Sequence, residues 1–235
     1  MHYSSRAIAL TYKKYSETSI ISKIFTEEKG VQSFIIKGVR TKKSTKKLGL
    51  FQSLTLLNIQ ATHQEKKTLQ YLKDLAVAKM KTRHSLNITK SFLYLFVAEV
   101  LSKILQDNKT DNSLFTFIWD LRSELEKVNE IDRNFPLIFL LKLTVFLGFS
   151  PSIQHINNPI FNLETATFVL EPPIGGLYIN AENSHYLKAL LLTTKINIPY
   201  QNRNQLLDHL INYYKLQHHE LKNMTSHLVI QSLRT

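Results

Sequence analysis

The chain has 235 residues, of which 43% are hydrophobic and 20% charged, the balance of an ordinary soluble globular protein. Its formal net charge is +12, and residues 1–80 hold 15 Lys and Arg against 5 Asp and Glu, so nearly all of the excess lies in the first third. The absence of cysteine excludes disulfides and thiolate metal sites. A charge excess of this kind favours an anionic partner for one part of the chain, either nucleic acid or an acidic membrane surface.

We expect a soluble cytoplasmic protein that makes no contact with a membrane. Residues 1–16 lack the apolar run of a signal peptide. The most apolar segment, residues 135–147, contains Lys142 and is too short to span a bilayer. The absence of cysteine also fits a reducing compartment.

Short apolar runs predict five β-strands in the first 75 or so residues. They are residues 6–12, 18–26, 31–37, 54–62 and 68–75. In the fourth run, apolar Leu57 and Ile59 flank polar Asn58, an alternation typical of a strand with one buried face. Five short strands with a long basic connection after the third fit a small barrel of the OB type, and an SH3-like barrel fits the same pattern.

From about residue 88 the hydrophobic period becomes that of a helix. Two apolar stripes predict amphipathic helices, the first with Leu93, Phe96, Val97, Val100 and Ile104 and the second with Leu114, Phe117, Ile118, Leu121, Leu125 and Val128. Residues 135–147 are apolar nearly all round, which predicts the buried centre of a helical bundle. Pro136 suits its first turn and Gly148 its end.

The remaining sequence predicts a helical domain with an insertion. Residues 151–183 break the helical pattern, and residues 166–170 and 177–180 predict a small β-hairpin around the Pro172-Pro173 turn. Helices are predicted again over residues 184–192, 203–216 and 221–233. The predicted fold class is therefore α+β, with a five-stranded OB-fold barrel over residues 1–80 and a mostly α-helical domain over residues 81–235.

Motifs for catalysis or cofactor binding are missing. The six glycines form no phosphate-binding loop, dinucleotide-binding turn or nucleophile elbow. The acidic residues of the basic third are too scattered for two-metal chemistry, and Glu27-Glu28 is interpreted as turn polarity. His218-His219-Glu220, with His209 and His227, lacks the spacing of a metal site and is interpreted as solvated or capping. We expect no enzyme activity, no cofactor and no metal.

Residues 37–47, KGVRTKKSTKK, are the strongest candidate for a binding site. No Asp or Glu occurs from residue 29 to residue 64, so a polyanion would meet a field of one sign. The residues expected to hold a phosphate backbone are Lys37, Arg40, Lys42, Lys43, Lys46 and Lys47, with Phe34 and Tyr15 as partners that stack on bases. Other aromatic residues on or beside the strands are Tyr12, Tyr71, Phe25 and Phe51, of which the last two are expected in the core. The alternative is a solvated loop that only keeps the protein soluble.

Several short segments, in this order along the chain, resemble the RecO family of bacterial DNA repair and recombination mediators. They are Tyr15-Ser16-Glu17-Thr18, Ile20-Ile21, Phe25-Thr26, Glu28-Lys29-Gly30, Lys37-Gly38-Val39-Arg40, Leu147-Gly148-Phe149-Ser150-Pro151, Gly175-Gly176-Leu177 and Tyr213-Tyr214. The resemblance implies an OB-fold followed by a helical domain. It also implies binding of single- and double-stranded DNA, annealing of complementary strands, and action with RecR and the single-strand DNA-binding protein to load RecA in the bacterial nucleoid.

The chain departs from the family in one respect. Many members carry four cysteines that hold a structural zinc, and this chain has no cysteine. We therefore expect no zinc and a hairpin held by packing of Ile160, Phe161, Phe168 and Leu170. The alternative functions are an RNA- or ribosome-associated OB-fold protein and a hydrolase with an unrecognised site.

Overall fold

The computed structural model describes residues 1–41, 45–78, 87–107, 109–193, 195–217, 221 and 223–232, with only the backbone at Thr45 and Lys46. The chain forms two compact units, Met1–Ile131 and Asp132–Thr235. Among the described helices, none has the length and apolar character needed to cross a membrane.

The first unit contains a closed barrel of five strands. The strands are β1 (His2–Lys14), β2 (Ile20–Thr26), β3 (Gly30–Ile36), β4 (Leu56–Thr62) and β5 (Leu69–Val77). Their order around the barrel is β1-β2-β3-β5-β4, and every neighbouring pair is antiparallel except β3 and β5. A short helix, α1 (Thr45–Leu48), and a turn of 3₁₀-helix at Gly49–Phe51 lie between β3 and β4. The five predicted strands are confirmed, and this arrangement is that of an OB-fold.

Alternation along the strands fills the barrel. On β4, Leu57 and Ile59 are buried in the barrel core while Asn58 is exposed, as predicted. The buried members of this core are Ala7, Ala9, Ile20, Ile24, Phe34, Ile36, Val39, Phe51, Leu57, Ile59 and Ala61. Phe51 comes from the 3₁₀ turn, so the connection between β3 and β4 contributes to the core as well as charge to the surface.

The described part of the first unit also contains the helices α2 (Ile88–Ile104) and α3 (Asn112–Lys127). A polar side chain caps each helix: the side chains of Asn87 and Asp111 accept hydrogen bonds from the first-turn amides of Lys90 and Leu114. Against the outer face of the barrel, the ring of Phe115 on α3 meets that of Phe25 edge-to-face, with 5.3 Å between centroids. The first compact unit thus extends past residue 80, and a domain boundary at residue 80 stays a prediction.

Over its described residues, the second unit combines four helices with a small sheet. The helices are α4 (Phe135–Leu147), α5 (Ala181–Leu191), α6 (Tyr200–Leu216) and α7 (Ser226–Ser232), and the strands are β6 (Ile160–Asn162), β7 (Thr167–Val169) and β8 (Tyr178–Ile179). The apolar helix α4 is largely buried, as predicted, and ends at Gly148 with a left-handed φ of 80°. Inside this unit the hydroxyl of Tyr214 donates to the carbonyl of Leu140 over 2.6 Å.

The sheet of the second unit differs from the predicted hairpin. The strand order is β7-β6-β8, so the two predicted strands lie on either side of β6 and do not pair with each other. The ring of Phe161 on β6 is fully buried, and its centroid lies 5.0 Å from that of Phe168 and 6.0 Å from that of Tyr213. These contacts favour the central position of β6 in the sheet. Phe161 and Phe168 pack together as expected, and Ile160 is half-buried, but the prediction for Leu170 was wrong, because this residue is 72% exposed.

Candidate nucleic-acid interface

Arg40 connects the predicted binding segment to the turn between β1 and β2. Its Nη1 donates to the carbonyl of Ser16 over 2.7 Å and to that of Glu17 over 3.1 Å, and its backbone amide donates to Thr18. Gly38, with φ of 73°, reverses the chain so that Arg40 can reach this turn. These bonds hold Arg40 against the turn that carries Tyr15, a residue that is 57% exposed.

A row of side chains crosses the outer face of four strands beside this turn. The register pairs Lys13 with Ile21, Ile21 with Ile35, and Ile35 with Tyr71. Because directly opposite residues point to the same face, these four side chains form a continuous row about 14 Å long. Lys13 and Tyr71 at its ends are exposed, and the two isoleucines between them are half-buried.

A basic groove adjoins Tyr71, where the end of β3, β5 and the α1 region surround a cavity of about 380 Å³. The residues that line it are Ile35, Ile36, Lys37, Val39, Lys47, Leu50, Phe51, Tyr71, Leu72, Lys73, Asp74 and Leu75. Within the described part of the chain, Lys37, Lys47 and Lys73 have no ion-pair partner. The carboxylate of Asp74 accepts a hydrogen bond from the Leu75 amide over 2.9 Å. Unpaired ammonium groups around an exposed ring suit a phosphate backbone whose bases can stack.

The predicted site residues fall into four groups in the structure. Lys37 and Lys47 line the basic groove, and Arg40 and Tyr15 lie at the β1–β2 turn. Lys42 and Lys43 lie outside the described residues, as does the side chain of Lys46. The ring of Phe34 lies in the barrel core and has no exposed surface.

Phe34 is consequently corrected from a stacking residue to a core residue. Residues 34–36 are all apolar, so the pattern does not say which of them face inward, and the pairing of β3 with β2 decides it. Sequence reasoning also missed Lys73, which lies 36 residues beyond Lys37 along the chain. The alternation of Tyr71 and Lys73 on one strand was a signal, but only the parallel pairing of β5 with β3 brings them to Lys37.

The described residues contain no group of three His, Asp or Glu side chains arranged to hold a metal ion. His218, His219 and Glu220 lie outside the described residues. Burial lowers the pKa of His209, with a smaller opposing effect of Asp208, so its imidazole is mostly neutral at pH 7. A neutral, half-buried histidine agrees with a packing role on α6.

The barrel, its basic groove and the helical unit define an OB-fold protein with an appended helical domain. Comparison with known families places it further. The model for the N-terminal part of recombination protein O matches residues 1–80, and the model for its C-terminal part matches residues 85–225. The chain therefore belongs to the RecO family, and this membership supports a role in DNA repair and recombination.

Curated relatives agree over almost the full chain. The chain is 31% identical to the DNA repair protein RecO of Flavobacterium psychrophilum over 221 residues, which cover 91% of each protein. It is 31% identical to that of Christiangramia forsetii over 218 residues and 30% identical to that of Porphyromonas gingivalis over 223, covering 90% of each protein in both cases.

Proposed function

We propose that this protein is a non-enzymatic mediator of DNA repair and recombination that binds single- and double-stranded DNA and anneals complementary strands. The observation that carries the proposal is the basic groove, in which three unpaired lysines surround the exposed ring of Tyr71. Family membership supports the recombination role. Family membership also supports a further part of the proposal. The protein acts with RecR and the single-strand DNA-binding protein to load RecA, in the cytoplasm and at the nucleoid.

The proposed mechanism is neutralisation of charge. Lys37, Lys47 and Lys73 hold backbone phosphates, and the rings of Tyr71 and Tyr15 stack on bases, each at about 1–3 kcal/mol. Held strands repel one another less, because part of their charge is balanced by lysine. Pairing then proceeds without any covalent step. Lys42, Lys43 and Lys46, which follow in the same segment, extend the proposed contact with the backbone.

The first test is the salt dependence of binding to a single-stranded oligonucleotide. When five of these six lysines each contact a phosphate, log K falls with log salt at a slope of about −3.5. In a Lys37→Glu/Lys47→Glu/Lys73→Glu variant this slope changes to about −1.4, because each lost phosphate contact reduces its magnitude by about 0.7. The matched control reverses three exposed lysines of the second unit, Lys142, Lys195 and Lys215.

Two outcomes contradict the proposal. One is a groove variant that binds as tightly as the parent at moderate salt, and the other is an equal loss in the control. The Lys42→Glu/Lys43→Glu variant tests the adjoining segment in the same assay. Competition between DNA and RNA of one sequence separates the DNA proposal from an RNA-associated role, and turnover of labelled DNA with magnesium tests for hydrolysis.

A further inference from the structure

A second basic surface lies at the other end of the barrel. An open depression of about 550 Å³ lies among Met1, Lys29, Lys66 and Lys67. Lys29 belongs to the β2–β3 turn, and Lys66 and Lys67 belong to the β4–β5 turn. Within the described ranges none of these three lysines forms an ion pair, and Glu65 is the one acidic residue of the lining.

The backbone beneath these cations is held in place by buried neutral groups. Gln70, only 3% exposed, accepts a hydrogen bond from the amide of Gln64 over 2.8 Å. Its Nε2 donates to the carbonyl of Gln64 over 3.0 Å and to that of Lys67 over 2.6 Å. The turn that carries Lys66 and Lys67 is thus fixed across its width by one side chain, which reduces the entropy lost when a ligand binds.

The N-terminus is held by a second set of bonds. Its ammonium donates to the carbonyl of His63 over 3.0 Å, and the amide of His63 donates to the carbonyl of Met1 over 2.9 Å. The imidazole Nδ1 of His63 lies 2.8 Å from Nε2 of Gln32, whose Oε1 accepts from the hydroxyl of Tyr3 over 2.8 Å. None of these supporting bonds uses a carboxylate, so Glu65 is the acidic lining residue that opposes Lys29, Lys66 and Lys67.

The chemistry of the depression fits a phosphate backbone better than a protein partner. Apart from Met1, every lining residue is polar or charged, and Met1 itself is 78% exposed. Protein partners are usually held by buried apolar anchors at the centre of an interface, and this surface offers none. Phosphate groups need only fixed cations and open access, which the depression supplies.

The two basic surfaces are too far apart to share a short strand. β3 joins them directly, since Lys29 precedes it and Lys37 follows it eight residues later. At about 3.3 Å per residue that separation is about 26 Å. The five phosphates of a stacked hexanucleotide span about 14 Å at 3.4 Å per step, so in this conformation it occupies one surface at a time.

We propose that the second basic surface binds the backbone of a second nucleic-acid strand while the basic groove holds the first. The proposal rests on the proposed function of the groove. Two strands tethered to one barrel meet at an effective concentration in the millimolar range instead of that in solution. The barrel thereby brings together two strands for pairing, which one surface alone does not do.

The test counts hexanucleotides per chain by native mass spectrometry at low salt, using the full chain. The parent binds two. A Lys66→Glu/Lys67→Glu variant binds one, and its rate of annealing two complementary 30-nucleotide strands, followed by energy transfer between end labels, falls at least about tenfold. A Lys142→Glu/Lys195→Glu variant, with the same change of charge in the second unit, binds two and anneals at the parent rate.

The outcomes separate this inference from the proposed function. A parent that binds one hexanucleotide, or a Lys66→Glu/Lys67→Glu variant that anneals at the parent rate, overturns the second surface and leaves the groove standing. A variant reversed at Lys37, Lys47 and Lys73 that still binds two hexanucleotides overturns the groove instead. If the second-surface variant binds its remaining hexanucleotide much more weakly than the parent binds its tighter one, the surface extends the first site, and the proposal of a second strand is overturned.

Discussion

Arg6 illustrates how a single residue joins the barrel to the helices around it. Its Nε and Nη2 form a bidentate pair with the carboxylate of Glu27, at 2.9 and 2.5 Å. The same guanidinium lies over the rings of Trp119 and Phe115 on α3, 5.0 and 5.6 Å from their centroids. The sequence suggested only turn polarity for Glu27, because nothing in the local pattern indicates a partner 21 residues away.

Stability should therefore depend on pH through Glu27. The hydrogen bonds from Arg6 lower the pKa of Glu27 below its ordinary value of 4.5, with partial opposition from burial. Because the pKa of Glu27 is lower in the folded state, its ionised carboxylate contributes all of its stabilisation above about pH 4.5, the pKa of the unfolded chain. This stabilisation is lost as the pH falls through the pKa of the folded state. Glu27→Gln should lower the free energy of unfolding by about 1 kcal/mol at neutral pH and by much less near pH 3.

Urea denaturation at the two pH values measures this difference. The neighbouring Glu28→Gln is the control, since the Glu28 side chain is exposed and has no ion pair among the described residues. A destabilisation by Glu27→Gln of equal size at both pH values would show that packing, not charge, accounts for the effect.

The β2–β3 turn shows how one element restricts the residues of another. Gly30 has φ of 63°, and a Cβ built there would lie 2.2 Å from the backbone carbonyl oxygen of Lys109, in the connection between α2 and α3. Glycine is needed at this position for two reasons, its left-handed conformation and the close approach of the backbone. The glycine of the Glu28-Lys29-Gly30 segment is thus explained by a contact with the connection between two helices.

Gly30→Ala should be strongly destabilising. The strained φ and the clash with an immobile backbone atom together should cost more than about 2 kcal/mol, seen as a lower urea midpoint and melting temperature. Gly49→Ala is the matched control, because a Cβ there meets nothing within 4 Å. Equal stability of the Gly30→Ala and Gly49→Ala proteins would mean that the connection can move aside at no cost.

At the scale of the whole molecule, the barrel depends on the helices that follow it. Ile8, Leu10 and Phe25 are almost fully buried, yet they are not members of the barrel core. Phe25 is covered by Phe115 of α3, and α2 packs along β1. A barrel without α2 and α3 would expose these side chains to water.

Fragments of the chain should differ accordingly. Residues 1–131 should unfold in one cooperative thermal transition, followed by circular dichroism. Residues 1–80 should unfold in a broad transition and bind more of a hydrophobic dye. Each large apolar side chain that becomes exposed removes about 1.5–3 kcal/mol of stabilising free energy. A sharp transition and no added dye binding for residues 1–80 would establish the barrel as an independent domain that ends at the predicted boundary.

Much of this architecture follows from local order in the sequence. The five strands, the starts of α2 and α3 and the buried helix α4 were predicted within a few residues, since hydrophobic period and capping residues are properties of neighbouring positions. Strand β6 of the second unit was not predicted, because it has only three residues and is defined by the strands that pair with it.

The sequence by itself determined where the positive charge lies, which segments form the barrel strands and the main helices, and to which family the chain belongs. Only the tertiary structure decided that Phe34 faces the core, that Lys73 and Tyr71 join Lys37 in one groove, and that the N-terminus joins Lys66 and Lys67 at the other end of the barrel. The physical reason is that these outcomes depend on strand pairing between residues far apart in the chain. A local pattern carries no information about such pairing.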